Sequence, residues 1–344
     1  MVKYKSLLKA VILMAIPITL FAANPVSVTI KEWDLPTPNS FPHDPASGPD
    51  GSLWYTGMGS NTIGRLNPKT GEIKEYPLKT PDSGPHGLVA DKEGNIWFTA
   101  NFKGYIGRLS PVTGKITEYQ LPEAAHDPHT PVFDQRGIVW FTVQAGNMVG
   151  RLNPKTGDVK LKPSPTPDSR PYGIAVNSKG IVFFCEFGTN KLASINPDSM
   201  DIKEYTLAKD SRPRRLAITA DDMIYFTDYS GGKLGRFTPL DGKIHEWTSP
   251  GGRDSGPYGI AITPDGIIWY SESGVTPNTI VRFDPKTESF SSWAIPSGGG
   301  VVRNMVATPQ GNLFLACSGK NKVAIAQLQL LTSSSRNTLS RQVF

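Results

Sequence analysis

Three of the five histidines in this 344-residue sequence stand at a constant spacing, each directly after a proline. His43, His86 and His129 are separated by 43 residues in both intervals. Imidazole titrates near neutral pH and is therefore well suited to take up or donate a proton during a reaction. We predict that the three histidines share one site and that at least one of them has a functional role. The alternative interpretation is that a repeated histidine only packs against the turn of its neighbour.

The histidines belong to a longer repeat, which predicts the fold. Six segments begin with proline and reach an aromatic residue twelve positions later, and a seventh keeps the spacing without the proline. These segments are Pro42–Trp54, Pro85–Trp97, Pro128–Trp140, Pro171–Phe183, Pro213–Tyr225, Pro257–Trp269 and Val302–Phe314. Successive segments start 42 to 45 residues apart, the period of β-propeller blades.

Each repeat contains four short apolar segments separated by turn residues. In the unit that starts at Pro257, the predicted strands are residues 259–262, 267–271, 279–283 and 290–295. One such sheet cannot bury both of its faces, whereas seven sheets arranged around an axis bury them against one another. The sequence therefore predicts an all-β, seven-bladed β-propeller of four-stranded antiparallel blades, with residues 26–330 as a single domain.

Closing the units into a ring leads to two further predictions. The seventh unit lacks a fourth strand, and residues 26–36 resemble the fourth strands of other units, so the last blade should be closed by the N-terminal strand. Cys185 and Cys317 fall three blades apart, too far for the Cα separation that a disulfide allows. We expect both cysteines to be reduced and buried.

In an antiparallel pair the start of strand one lies beside the end of strand two, so two sets of residues should meet at one mouth of the ring. The first set follows the proline position and comprises His43, His86, His129, Tyr172, Arg214, Tyr258 and Arg303. The second set follows the aromatic pair and comprises Gly57, Ala100, Val143, Glu186, Asp228, Glu272 and Cys317. We predict Tyr172, Arg214, Tyr258, Arg303 and His43 as substrate-binding residues for a polar ligand with an apolar body. The acids of the second set would then form an arc opposite the histidines. For Glu186 and Glu272 we favour a structural role, and the alternative for Arg214 and Arg303 is that they pair with these acids or with Asp228.

The two ends of the chain account for most of its net positive charge. Residues 1–23 combine three lysines with a 14-residue apolar run and indicate a signal peptide, which predicts a secreted or periplasmic protein without stable membrane insertion after cleavage. Removing them lowers the formal net charge from +6 to +3, and residues 331–344, predicted to be a disordered tail, carry two more arginines. The remaining charge is no reason to expect a nucleic-acid partner.

Several repeated phrases are similar to those of the virginiamycin B lyases, also called streptogramin lyases. They are Gly84-Pro-His-Gly-Leu88, Gly94-Asn-Ile-Trp-Phe-Thr99, Ile106-Gly-Arg-Leu109 and Lys115-Ile-Thr-Glu-Tyr119, and the resemblance covers about residues 28–330. The resemblance implies a seven-bladed propeller that opens a cyclic peptide antibiotic by elimination at its ester, using magnesium. A small molecule or cyclic peptide would then bind at the channel mouth, and we expect a monomer.

The family's active constellation is a Pro-His from one blade, a Glu-Pro-His from the next, and a Glu just past that blade's aromatic pair. Pro85-His86 matches the first element, and Asp127-Pro128-His129 resembles the second with Asp in place of Glu. The third falls on Val143, beside Gln144, where the family has Glu. The resemblance thus implies His129 as the base, His86 as the acid or orienting group, and Asp127 with Gln144 as a weakened Mg²⁺ site. The matching positions lie in blades two and three, not in the last blade.

Two function classes follow from these residues. The first is a secreted carbon–oxygen lyase acting on a cyclic ester, which the retained histidine pair favours. The second is a non-catalytic propeller that binds a polysaccharide, peptide or cell-envelope partner at the same mouth, which the missing glutamate favours. A gluconolactonase-like calcium hydrolase ranks last, because it would want several inward carboxylates around one ion. The sequence contains no Gly-x-Ser-x-Gly, His-Glu-x-x-His, Gly-x-x-x-x-Gly-Lys or Cys-x-x-Cys motif, so acyl-serine, zinc-protease and nucleotide sites of those types are excluded.

Overall fold

The structure, a computed structural model, describes residues 26–330, within which Val28–Gln329 form one compact body. The predicted signal peptide, residues 1–23, and the predicted tail, residues 331–344, lie outside the described residues. Twenty-eight β-strands form seven antiparallel sheets of four strands each. The prediction of an all-β, seven-bladed propeller is confirmed. No helix among residues 26–330 is long and apolar enough to cross a membrane.

Six blades each take four consecutive strands of the chain. Blade one comprises β2 (Pro42–Ser47), β3 (Leu53–Gly57), β4 (Thr62–Leu66) and β5 (Ile73–Pro77). Blade two comprises β6 (Pro85–Ala90), β7 (Ile96–Ala100), β8 (Tyr105–Leu109) and β9 (Ile116–Gln120). Blade three comprises β10 (Pro128–Phe133), β11 (Val139–Val143), β12 (Met148–Leu152) and β13 (Val159–Pro163). Blade four comprises β14 (Pro171–Val176), β15 (Val182–Glu186), β16 (Lys191–Ile195) and β17 (Ile202–Thr206). Blade five comprises β18 (Pro213–Ile218), β19 (Ile224–Asp228), β20 (Lys233–Phe237) and β21 (Ile244–Thr248). Blade six comprises β22 (Pro257–Ile262), β23 (Ile268–Glu272), β24 (Thr279–Asp284) and β25 (Ser289–Ala294). Short 3-10 segments cover Glu123–Ala125, Arg253–Ser255 and Ser318–Lys320.

The seventh blade is completed by the N-terminal strand. It contains β26 (Val302–Ala307), β27 (Leu313–Cys317), β28 (Lys322–Leu330) and β1 (Val26–Asp34). The strand order is β1-β28-β27-β26, so β1 pairs with the third strand of the blade, as predicted. The Leu35 amide continues this contact by donating to the Asn321 carbonyl at 3.0 Å. The two ends of the propeller are thereby joined within one sheet.

The aromatic pair of each second strand fills the space between blades. Trp54 of blade one packs in one apolar cluster with Ile96 and Phe98 of blade two. A Cβ added at Gly107 would overlap the Phe98 ring, so the glycine of the Ile-Gly-Arg-Leu phrase leaves room for the aromatic side chain of the preceding strand. The repeated sequence motifs therefore reflect the packing within and between the blades.

The first strand of every blade contains a β-bulge at its inner end. On β2, His43 and Asp44 lie opposite the single residue Thr56 of β3. The same irregularity occurs in the other six blades. A bulge bends the strand and re-aims the side chains on it, and such features are common next to functional sites. Each blade thus has two consecutive bulge residues beside the central channel, and the second of them is glycine in blades two, four and six.

Both cysteines are free and fully buried, as predicted. Burial raises the pKa of both thiols, that of Cys317 to about 12. Cys185 and Cys317 are therefore neutral, inert thiols in the folded protein.

Candidate functional site

In each blade, the first of the two bulge residues (His43 in blade one) is called the first bulge residue here, and Asp44 in blade one is a second bulge residue. The first bulge residues lie together at one mouth of the ring, as predicted. A cavity of about 480 Å³ lies there, and its wall includes His43, His86, His129, Tyr172, Arg214 and Arg303. The seventh predicted residue, Tyr258, is buried, and its hydroxyl lies 2.5 Å from the Tyr172 hydroxyl. The rest of the wall consists of Phe41, Met58, Gly59, Asn101, Phe102, Gln144 and Ser318.

Four rings from consecutive blades follow one another in a continuous row along this wall, called the ring stack below, with neighbouring ring planes inclined by 42 to 52°. The ring centroids of His43 and His86 lie 3.6 Å apart, and those of His86 and His129 lie 3.8 Å apart. The Tyr172 ring follows at 4.0 Å from His129. The sequence predicted that these side chains would meet, but not that the imidazoles would be in direct contact.

Hydroxyl groups on the second strands hold the bulges in place. Thr99 Oγ1 accepts a hydrogen bond from the amide that follows His86 and donates one to the carbonyl of His129 in the next blade, at 2.8 and 2.7 Å. Thr56 and Thr142 make the equivalent donations to His86 and Tyr172, at 2.9 and 2.8 Å. Each hydroxyl therefore fixes a site residue of the following blade. Neither the bulge nor this hydrogen-bond network was predicted from the sequence. The sequence does show a signal for it, because a residue with a hydroxyl group recurs two positions after the repeated aromatic residue.

The three stacked imidazoles are neutral at neutral pH. Burial lowers the pKa of His86 and His129 well below the usual value, and the positive charges of neighbouring groups lower it further. Burial also lowers the pKa of His43, although its hydrogen bond with Asp44 opposes the shift. His129 Nδ1 lies 2.9 Å from the Thr130 hydroxyl, while His86 Nδ1 is buried without a hydrogen-bond partner among the described residues. His86 is thus the one histidine of the stack with an unused buried nitrogen.

The second bulge residues of blades one and five form a buried ion pair across the ring. An Asp44 oxygen lies 2.7 Å from the Arg215 guanidinium and 2.9 Å from His43 Nδ1, and Arg215 Nε donates to the Arg303 carbonyl at 3.1 Å. Burial raises the pKa of Asp44, but the charge of Arg215 and the His43 hydrogen bond outweigh it, so the net shift is downward. The pair lines a second cavity of about 180 Å³. Neither Asp44 nor Arg215 was predicted. Each directly follows a residue of the first set, and the proline-aromatic spacing does not show where the side chain at that next position points.

Asp127 and Gln144, the predicted metal ligands, have different surroundings. Gln144 lines the mouth cavity. Asp127 lies just before the bulge of blade three, and its carboxylate accepts hydrogen bonds from the backbone amides of Ala145 and Gly146. Val143, at the position of the family glutamate, is fully buried in an apolar cluster. Asp127 therefore shapes the turn after β11 in this structure.

The predicted arc of acids does not face the mouth. Glu272 is bound by the hydroxyls of Ser249 and Thr279 and by the Gly251 amide, at 2.5 to 2.6 Å. Asp228 accepts from the Arg212 and Gly231 amides, and Glu186 is bonded to the Ser164 hydroxyl. The last residue of each second strand is buried, and in several blades the next residue reaches the cavity instead. Successive side chains of a strand point to opposite sides, so a shift of one position at the strand end decides which residue faces the cavity.

Arg214 lies among aromatic rings rather than acids. Its guanidinium carbon is 4.1 Å from the Tyr258 ring centroid, 4.3 Å from those of Phe187 and Tyr229, and 5.2 Å from that of Tyr172. Such contacts stabilise a cation by attraction to the ring faces and supply no negative charge. The guanidinium therefore keeps its full charge beside the cavity.

One group among the described residues has three potential metal-ligand atoms within 4.8 Å of one another, from His43, Asp44 and His86. The Asp44 oxygen in that group already contacts both Arg215 and His43. A cation there would have to compete with a guanidinium for the same carboxylate, which weakens any metal site.

Comparisons with known proteins agree with the fold and with the repeated phrases. The sequence profile of the Virginiamycin B lyase family matches residues 24–193 and 161–334. A streptogramin B lyase structure superimposes with a TM-score of 0.81 at 27% identity, covering 88% of this chain and 98% of that one. Selenomethionine-substituted virginiamycin B lyase from Staphylococcus aureus gives 0.80 at 26% identity, with 88% and 100% covered. A catalytically inactive histidine-to-alanine variant of that lyase with quinupristin gives 0.79 at 25% identity, with the same coverage. No curated protein sequence matches the chain.

Proposed function

This chain belongs to the virginiamycin B lyase family, and we propose that it is a carbon–oxygen lyase that opens the ester of a cyclic depsipeptide by elimination. The observation that carries the proposal is the pair of stacked imidazoles, His86 and His129, in the wall of a cavity large enough for part of such a ligand. Both are neutral because burial lowers their pKa, and a neutral imidazole can accept a proton.

His129 is the proposed base. For this role His129 Nδ1–H donates a hydrogen bond to the Thr130 hydroxyl oxygen, which leaves the lone pair on Nε2 to take a proton from the carbon next to a carbonyl of the substrate. The electron pair of that carbon–hydrogen bond becomes the second bond of a carbon–carbon double bond. The carbon–oxygen bond of the ester then breaks, and its electron pair leaves on the carboxylate. The ring opens without addition of water, so substrate and product have the same mass.

His86 acts as a hydrogen-bond donor rather than as a stored acid. A pKa well below the usual value means that His86 carries no extra proton at neutral pH. The carboxylate leaving group does not need one, because carboxylates are stable as anions at this pH. Because its buried Nδ1 has no partner among the described residues, the neutral ring is expected to hold its proton on Nε2 and to donate a hydrogen bond from Nε2–H to an ester oxygen.

The magnesium predicted with this activity fits the described residues poorly. Mg²⁺ prefers oxygen ligands in octahedral geometry, usually including carboxylates. The Asp127 carboxylate is bound by two backbone amides, Val143 replaces the second family carboxylate, and Gln144 is the one predicted ligand that lines the cavity. We assign no step of the reaction to a metal.

The proposal is tested by incubating the full chain with quinupristin and with other cyclic depsipeptides, followed by mass spectrometry. Elimination gives an opened product of unchanged mass with a new conjugated double bond, whereas hydrolysis adds the mass of one water. His129→Asn should lower the rate by about 10²-fold or more, while His245→Asn, on the outer strand β21, should leave it unchanged. A hydrolysed product, or binding without turnover, would overturn the lyase assignment, and the second result would indicate a binding protein.

We also propose that the protein is exported, because residues 1–23 have the features of a signal peptide. Expression of the full-length gene followed by fractionation and intact-mass measurement tests this. Export predicts a mature chain in the periplasm or medium that lacks about the first 23 residues. A full-length chain in the cytoplasm would contradict it.

A further inference from the structure

The mouth cavity contains two positive charges and no negative one. Arg214 and Arg303 lie in its wall, and guanidinium groups stay protonated under all ordinary conditions. None of the described residues that line the cavity is an aspartate or glutamate. The neighbouring imidazoles of His86 and His129 are neutral and therefore add no charge of either sign. A cavity of this composition favours an anion over a cation.

No residue of the described part of the chain neutralises either arginine. Within residues 26–330, the ion pairs that involve arginine use Arg65, Arg136, Arg215 and Arg282. Arg214 Nε is buried and has no hydrogen-bond partner among these residues. A charged group that is partly desolvated without an anionic partner costs stability, and a ligand that supplies the partner recovers it.

The acids that could have paired with these arginines are held elsewhere. Glu272 and Asp228 are bound by hydroxyls and amides of their own loops. Asp44, the one carboxylate on the first strands of the seven described blades, is already paired with Arg215. The protein therefore neutralises one arginine of the bulge in blade five, Arg215, and leaves its neighbour Arg214 open.

The rim of the same cavity is apolar. Phe41 and Phe102 are 51% and 59% exposed, large fractions for phenylalanine, and both line the cavity together with Met58. A ligand that fits has a negatively charged group at the arginines and an aromatic or aliphatic body against this rim. A free inorganic anion would use only half of the surface.

We propose that Arg214 and Arg303 form a carboxylate-binding site at the channel mouth, which takes the role that the family resemblance gives to a divalent cation. The inference rests on the proposed function in one respect: the carboxylate would be the one released when the ester carbon–oxygen bond breaks. Two guanidinium groups would stabilise the negative charge that develops on that oxygen. The reaction would then need no metal.

The test measures binding of N-benzoylglycine, which has a carboxylate on an aromatic amide, against its neutral amide, N-benzoylglycinamide. Isothermal titration calorimetry with the full chain should show at least about tenfold tighter binding of the carboxylate, because hydrogen bonds between charged groups are the stronger ones. The difference should shrink at high salt and stay unchanged when EDTA or Mg²⁺ is added.

Variants locate the site. Arg303→Gln and Arg214→Gln should each abolish the preference for the carboxylate, and Arg303→Lys should keep part of it. Arg236→Gln, which removes the same charge from the third strand of blade five, is the matched control and should bind like the parent. Thermal unfolding of each variant separates loss of binding from loss of fold, and Arg303→Lys tests the site if Arg303→Gln does not fold.

The outcomes for this inference and for the lyase proposal are independent. Carboxylate binding that survives EDTA and depends on Arg303 supports the site even if no depsipeptide is turned over. Turnover that requires Mg²⁺ and is unaffected by Arg303→Gln supports the lyase and overturns the site. Equal affinity for the acid and the amide, or equally tight binding of inorganic phosphate, would also overturn it.

Discussion

Lowering the pH from 7.5 to 5.5 should destabilise this protein through the stacked histidines. His86 and His129 are buried, and burial lowers the pKa of both well below the usual value, so the folded state resists their protonation as the pH falls. In the unfolded chain the same groups have the ordinary value of about 6.5 and become protonated. The unfolded state then binds more protons than the folded state, and stability is lost as the pH falls through 6.5.

The size of the effect follows from that difference. A histidine that titrates at about 6.5 when unfolded and stays neutral when folded loses about 1.4 kcal/mol of stabilisation between pH 7.5 and 5.5. His86 and His129 together account for about 2.7 kcal/mol. His43 adds less than a full share, because its hydrogen bond to Asp44 opposes the lowering of its pKa. The expected loss is therefore about 3 to 4 kcal/mol, a large part of the stability of an ordinary domain.

The assay is urea denaturation at both pH values, with the free energy of unfolding extrapolated to zero denaturant. The double variant His86→Gln with His129→Gln should lose about 2.7 kcal/mol less than the parent over this interval. Glu186 also titrates unusually, because burial raises its pKa, but it is common to both proteins and cancels in the comparison. His245→Gln, on the exposed outer strand, is the control and should behave like the parent. If the double variant shows the parent's full dependence on pH, the histidines are not held neutral and the reasoning fails.

Three further predictions test the interactions around the channel and the burial of the cysteines. Asp44→Asn should destabilise the fold by about 3 to 5 kcal/mol in urea denaturation, because it leaves the buried charge of Arg215 unpaired, whereas replacing both residues by apolar ones should cost much less; equal losses would contradict the ion-pair argument. Cys185→Thr should stabilise by about 1 kcal/mol in the same assay, because the hydroxyl can donate to the Arg214 carbonyl as threonine does in other blades; no gain would show that the carbonyl is satisfied otherwise. Cys185 and Cys317 should be unreactive to alkylating reagents in the native protein and reactive in denaturant without reductant, as intact mass will show, and early native labelling would contradict their burial.

The repeated spacing was enough to predict the fold and the mouth of the channel. Period, turn residues and the aromatic pair report local packing that every blade shares, so the number of blades and the closure by the N-terminal strand follow from counting. The convergence of His43, His86 and His129 follows from strand pairing alone. These predictions succeeded because they depend on features repeated seven times.

The unpredicted features are those that differ between blades. The Asp44–Arg215 pair joins blades one and five and depends on a bulge that the spacing does not reveal. The acids at Glu186 and Glu272 were expected at the mouth, but a shift of one position at a strand end turns their side chains into local loops. A single residue step decides between the cavity and the interior, and periodicity cannot resolve it.

The two bulge positions of each blade explain how one propeller can carry different chemistry. The backbone there is held by hydroxyls of the second strand, such as Thr99, which bond to amide and carbonyl groups and not to the side chains of the bulge. The first bulge residue can therefore change from histidine to tyrosine or arginine without altering the packing between blades. Substitution at Arg303 should accordingly change which ligand charge the mouth accepts while leaving the ring intact. We therefore expect the charge of the first bulge residues that line the cavity, and not the fold that the blades share, to determine which ligand binds.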